Sequence, residues 1–202
     1  MRIAILGTGA LATALGTGWA KAGHEVVVAG RSAEKAAALA DTLGGTAAPP
    51  REAVAGADAV LLAVAWEGVG DMLRLAGAAD GTLAGVALID PVNAVEHGVG
   101  VLLPEDSAAE RIAALAPGAR VVKAFHLFPS DHWATRTPVT VAMCGDDPDA
   151  NERVSTLVRD LAGVPAAIGP LSRARQLEEA AGLVIALAFG GFDPNSAIPR
   201  VG

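Results

Sequence analysis

Residues 1–35 read MRIAILGTGALATALGTGWAKAGHEVVVAGRSAEK, and this stretch decides the fold. Arg2-Ile3-Ala4-Ile5-Leu6 is a short, apolar, β-rich run, and Gly7-Thr8-Gly9-Ala10-Leu11-Ala12 follows it as G-x-G-x-x-A. Helical spacing of apolar residues continues from Leu11 to Ala22, Gly23 ends the helix, and Val26-Val27-Val28 makes a second buried strand. A glycine motif alone is weak. Set between a strand and a helix, inside a unit of about 30 residues, it predicts a dinucleotide-binding βαβ unit. Gly7 lets the chain reverse where a Cβ would clash, Gly9 lets the backbone approach a pyrophosphate, and Ala12 lets the helix pack on the strand. The free N–H groups that open the helix, those of Ala10 and Leu11 among them, then face an anion. A tight turn in some other α/β fold is the competing reading.

The tip of the second strand selects the dinucleotide. An NAD-binding unit carries Asp or Glu there, bonded to the ribose 2′-hydroxyl. Here the strand ends Ala29-Gly30-Arg31-Ser32, with Lys35 one turn later. No carboxylate repels a 2′-phosphate, and Arg31, Ser32 and Lys35 offer a guanidinium fork, a hydroxyl and a point charge. The expected cofactor is NADP(H). Against this stands a plainer reading, in which Ser32 caps the next helix and Arg31 and Lys35 are solvated; Ser32 can do both jobs.

Composition bounds the rest. The 202 residues suit one domain with a small appendage, and 52% hydrophobic content supports a substantial core. Aromatics are only 3%, with no Tyr, which suits close-packed helices on a parallel sheet. A net charge of −7 gives no electrostatic footprint for nucleic acid or an anionic membrane. The single Cys144 cannot form an intrachain disulfide or a cysteine-cluster metal site. The N-terminal apolar run is too short for a signal peptide, and no segment reaches the length of a membrane span. The expectation is a soluble, cytoplasmic protein.

Further strands are expected at 59–64, 86–89, 120–125, 139–144 and 165–168, and helices at 33–43, 51–55, 68–79, 107–116, 149–161 and 173–189. Residues 94–104 read as a surface loop. In an open α/β sheet, ligands lie beyond the carboxyl ends of the strands. That places Ala65 and Trp66 at the lip of the site, with Trp66 either covering the nucleotide or packing under the following helix. It places Asn93 and Asp90 where polar groups meet the nicotinamide, with loop capping as the alternative for Asp90. His126, directly after the 120–125 strand, is the candidate partner for a substrate or cofactor ring. His126, Asp131 and His132 do not have a recognised metal-ligand spacing, and no metal is expected. The predicted architecture is a Rossmann-type, doubly wound, mostly parallel sheet over residues 1–136, with a small C-terminal α/β extension, 137–202, roofing the second-substrate pocket. The apolar stretch 180–192 needs a cover and predicts a homodimer.

At this point the chain resembles the NADP-dependent oxidoreductases of coenzyme F420, the 8-hydroxy-5-deazaflavin. The likeness runs through Ile5-Leu6-Gly7-Thr8-Gly9, Gly30-Arg31-Ser32 with Lys35, Ala63-Val64-Ala65-Trp66-Glu67, Val121-Val122-Lys123-Ala124-Phe125-His126, Gly145-Asp146-Asp147, and Gly169-Pro170-Leu171 with Arg175 and Leu177-Glu178. It implies that Thr8, Arg31, Ser32 and Lys35 hold the NADP phosphates. It also implies that Ala65 and Trp66 line the nicotinamide side, and that His126 with Phe128 faces the deazaflavin. The implied reaction is direct hydride transfer between the two rings, with no covalent intermediate. Ala65 stands where the family often has Pro, and the tail Gly190-Gly191-Phe192-Asp193-Pro194-Asn195 differs from the family's usual ending. Two other functions stay open on the residues. One is an NADPH-dependent reductase of an imine, carbonyl or conjugated alkene, with His126 or Asp90 as proton donor. The other is a non-catalytic NADP(H)-binding module.

Overall fold

The computed structural model describes residues 1–95, 106–135 and 137–197. The chain runs β1 (Arg2–Leu6), α1 (Ala10–Lys21), β2 (Glu25–Ala29), α2 (Ala33–Leu43), β3 (Thr46–Ala47), α3 (Pro50–Ala53), β4 (Ala59–Leu62), α4 (Val69–Ala76) and β5 (Ala87–Asp90). It continues through α5 (Ala108–Leu115), β6 (Arg120–Lys123), α6 (Ser130–Thr135), β7 (Thr140–Gly145), α7 (Pro148–Asp160), β8 (Val164–Ala167) and α8 (Ala174–Phe189). The strands form one sheet in the order β3-β2-β1-β4-β5-β6-β7-β8. The first six are parallel, β7 runs antiparallel to β6, and β8 is parallel to β7. This is the doubly wound α/β fold, with the order reversing between β1 and β4, where such sheets bind ligands.

Burial follows from the sequence patterns. β1, β4 and β5 are covered on both faces, as their unbroken apolar runs require. One face of the sheet packs Leu15, Trp19, Phe125, Trp133, Val154 and Leu157. The other packs Val60, Leu62, Met72, Leu73, Ile112 and Leu177. Helix α2 starts on Ser32, whose Oγ accepts from Lys35 N at 3.2 Å. Helix α5 starts on a full capping box between Ser107 and Glu110.

One element was not expected: residues 130–135 form helix α6, a turn and a half too short to show a period in the sequence. Helix α8 buries Ala174, Leu177, Glu178, Ala181 and Gly182. Its far half leaves the core, so Leu183, Phe189 and Phe192 are exposed. The expected loop 94–104 lies almost wholly outside the described residues.

Candidate dinucleotide site

A cleft of about 420 Å³ opens at the carboxyl ends of β1, β2 and β4. Its floor is the glycine turn. Gly7 has φ +139°, and a Cβ there would stand 1.9 Å from the Ala63 carbonyl oxygen, so only glycine fits. Its N–H bonds Ala29 O at 2.8 Å and ties the turn to β2. A Cβ at Gly9, by contrast, would meet no protein atom within 4 Å, which leaves that backbone open to a ligand. Ala12 is fully buried against the sheet. No side chain caps the first turn of α1 and no acidic residue stands in it, so the N–H groups of Ala10 and Leu11 have no side-chain acceptor. Ala10 is exposed, while the Leu11 side chain packs against the core.

The side of the cleft beyond β2 is basic. Thr8, Gly30, Arg31, Ser32 and Lys35 all line it. Among the described residues, neither Arg31 nor Lys35 has a carboxylate partner for its side chain. Two unpaired cations on an acidic chain, beside an uncapped helix start, suit a phosphate-rich ligand. Ser32 caps α2 while standing in the same wall. The opposite lip is formed by Ala63, Val64 and Ala65. Trp66 is partly buried and packs against the core cluster on that side of the sheet.

The expected nicotinamide end is built differently. Asp90 is fully buried and does not face the cleft. Its Oδ1 accepts from Val92 N at 2.8 Å, so the carboxylate caps its own loop, and its Oδ2 lies 3.0 Å from Lys123 Nζ. Lys123 Nζ also meets Glu178 Oε1 at 2.8 Å and bonds the Val92 carbonyl. Glu178 in turn accepts from Ala108 N at 2.8 Å and Ala109 N at 3.2 Å, and so holds the start of α5 from α8. Burial raises the Asp90 pKa, and the Lys123 ammonium works against that rise. This triad escaped the sequence reading. Its signal was a lysine inside the apolar run Val121-Val122-Lys123-Ala124-Phe125, where only buried acids make the charge tolerable.

His126 is 7% exposed and does not line the cleft. Burial, helped by the nearby Lys123 charge, lowers its pKa from 6.5 to about 3. The imidazole is therefore neutral at physiological pH. Neither of the two residues expected as proton donors lines this cleft: His126 and Asp90 are both buried at the β5–β6 tips. Asn93 Nδ2 donates to the His126 carbonyl at 2.6 Å and joins the tips of β5 and β6. Asn93 Oδ1 and both His126 ring nitrogens are buried without a protein partner at hydrogen-bonding geometry. Phe125, just before, holds a left-handed φ of 63° and packs edge-on to Trp19 and Trp133, at 5.8 and 5.2 Å. Phe128 is half-buried against the same aromatic group, 6.0 Å from Trp133. The structure thus gathers Gly7, Thr8, Gly9, Arg31, Ser32, Lys35 and Ala65 around one cleft. It sets Asn93, His126 and Phe128 apart, at the β5–β6 tips. Among the described residues no cluster of His, Cys, Asp or Glu could hold a metal ion, and no helix is long and apolar enough to cross a membrane.

Residues 2–94, the part that builds the cleft, match the family described as NADP oxidoreductase coenzyme F420-dependent. The dinucleotide-binding part of the chain belongs to this family. Over 99% of its length the chain superposes on the whole (100%) of a protein from Arthrobacter sp. FB24 provisionally assigned as an F420-dependent NADP reductase, with a TM-score of 0.81 and 26% identity. It is also 32% identical over 182 residues to metalloreductase STEAP3 of Rattus norvegicus, covering 88% of this chain and 36% of that protein. The chain thus spans little more than a third of the length of that curated relative. The NADPH-bound reductive aminase of Aspergillus terreus shares the fold, with a TM-score of 0.70 and 24% identity over 94% of this chain and 62% of the aminase. The match over residues 2–94 supports NADP(H) binding in the cleft and a likeness to NADP-dependent oxidoreductases.

Proposed function

We propose that the protein transfers hydride between NADP(H) and coenzyme F420. The reading rests on one observation above others. The NADP-binding family match is joined to a whole-length superposition on the Arthrobacter protein, so the likeness extends past the cleft into residues 137–202. In this reading the glycine turn and the α1 start hold the pyrophosphate, and Arg31, Ser32 and Lys35 hold the 2′-phosphate. Ala65 edges the path toward the nicotinamide. Trp66 supports that lip from below. Asn93, His126 and Phe128 mark the acceptor side, where a neutral His126 serves as a hydrogen-bonding group. Hydride passes between ring carbons with no proton donor needed, which suits a chain whose Asp90 and His126 are buried. Residues 137–202 cover the acceptor, and the exposed apolar end of α8 pairs two copies in the cytoplasm.

The test is a spectrum. Oxidised F420 mixed with NADPH and catalytic protein loses its deazaflavin absorbance as NADPH is consumed. No loss at saturating NADPH refutes the reading. The likeness to a metalloreductase favours a second reading, in which the same NADPH cleft feeds a different acceptor. It predicts NADPH binding with no F420 turnover and NADPH oxidation by another acceptor.

A further inference from the structure

The cleft holds one feature that phosphate binding does not use. Glu67 lines it, and among the described cleft residues it is the only carboxylate. Trp66 packs against the core cluster, and Glu67 beside it is exposed on the cleft side. Glu67 makes no hydrogen bond or ion pair with any described residue. Exposed Glu67 is solvated in the free protein, but beside bound phosphates a carboxylate is repelled unless it meets a donor.

The geometry of the ligand supplies that donor. The pyrophosphate belongs at Gly9 and the start of α1, and the 2′-phosphate at Arg31 and Lys35. With the phosphates so placed, the base would lie between Arg31 and the residues that follow β4. The cleft there is lined by the apolar Val64, Ala65 and Met72 and by Arg31, Glu67 and Gly68. Apolar walls accept the faces of a purine, and a guanidinium plane stacks on it. The rim needs a group that reads the purine edge. The exocyclic amine of adenine is a two-hydrogen donor, and a carboxylate is acceptor-only.

We propose that Glu67 is a specificity-determining residue that accepts a hydrogen bond from the adenine 6-amino group of NADP(H). The inference rests on the reading that this cleft holds NADP(H), and it is independent of the hydride acceptor. It makes the cofactor site selective at both ends of the adenosine: Arg31 and Lys35 read the 2′-phosphate, and Glu67 reads the base.

The probe is reduced deamino-NADP, in which a carbonyl oxygen replaces the 6-amino group. Affinity is read from the dihydronicotinamide fluorescence of NADPH, deamino-NADPH and NADH, with wild type, Glu67→Gln and Glu67→Ala. Wild type is expected to prefer NADPH to the deamino form by about tenfold, since a charge-assisted bond is exchanged for an acceptor facing an acceptor. In Glu67→Ala the preference falls below about threefold, Glu67→Gln lies between, and the preference of NADPH over NADH stays as in wild type. A wild-type preference near one overturns the proposal, as does one that survives in Glu67→Ala. So does equal weakening of both phosphorylated cofactors. Failure of NADPH itself to bind wild type would instead refute the NADP reading of the cleft, and the Glu67 proposal with it.

Discussion

His126 gives the protein a specific sensitivity to acid. Its ring is buried at the tip of β6, with Lys123 close enough to oppose a second positive charge, and its pKa falls from 6.5 to about 3. Above pH 6.5 the ring is neutral in both folded and unfolded chains, and its contribution to stability is complete. Below pH 6.5 the unfolded chain takes up a proton that the folded chain refuses, so stability is lost as the pH falls toward 3. With these two pKa values, moving from pH 7 to pH 5 removes about 2 kcal/mol through this one group. The variant His126→Gln cannot titrate, keeps a polar side chain of similar reach, and leaves every other group in place. The raised pKa of Asp90 has the opposite sign and is common to both proteins, so it cancels in the difference. Urea unfolding at pH 7, 6 and 5 reads the effect. Wild type should lose about 2 kcal/mol more than the variant between the end points. Parallel pH dependences would refute the reasoning, because they would mean that His126 protonates equally easily in both states.

Arg31→Ala should weaken NADPH by about 1.5–3 kcal/mol and NADH by far less, measured by fluorescence titration; equal weakening would remove Arg31 as the phosphate reader. Lys123→Met leaves Asp90 and Glu178 buried without their cation and should cost about 3–5 kcal/mol in chemical denaturation. The neutral triple variant Asp90→Asn, Lys123→Met, Glu178→Gln should recover part of that, and no recovery would show that the loss comes from packing and not charge. Gly7→Ala drives a Cβ into the Ala63 carbonyl at a left-handed φ, so the melting temperature should drop together with NADPH affinity. Cys144 is buried, and burial pushes its pKa from 9.0 up to about 11, so a thiol reagent at pH 8 should label it only after unfolding.

The dinucleotide half was legible because its constraints are local. Gly7 is dictated by one close approach and one φ, and the basic strand tip by three residues within five positions. Period and length gave most strands and long helices, since β1, β4 and β5 are apolar without interruption. The β5–β6 end was not legible in the same way. The triad joins residues 33 and 55 positions apart, and nothing near Glu178 in sequence announces Lys123. His126 sits at a strand's carboxyl end, the right place for a catalytic group, yet whether such a residue faces the cleft depends on Phe125, whose left-handed backbone turns the chain at that point. Position along the chain cannot reveal that turn, because a bulky residue at positive φ has no sequence signature.

The buried triad also bears on how the two ends of the molecule act together. Lys123 stands on β6, Asp90 on β5 and Glu178 on α8, and Glu178 caps α5 as well. Helix α8 is therefore anchored by its N-terminal half to the strand tips that carry Asn93 and His126, while its other half stands clear of the core. A helix held so firmly at one end presents Leu183, Phe189 and Phe192 in a fixed direction. Whatever packs against that apolar end bears, through α8, on the same lysine that fixes the β5 tip. Pairing two copies there would couple assembly to the β5 and β6 tips, while the cleft built on β1, β2 and β4 lies outside that connection.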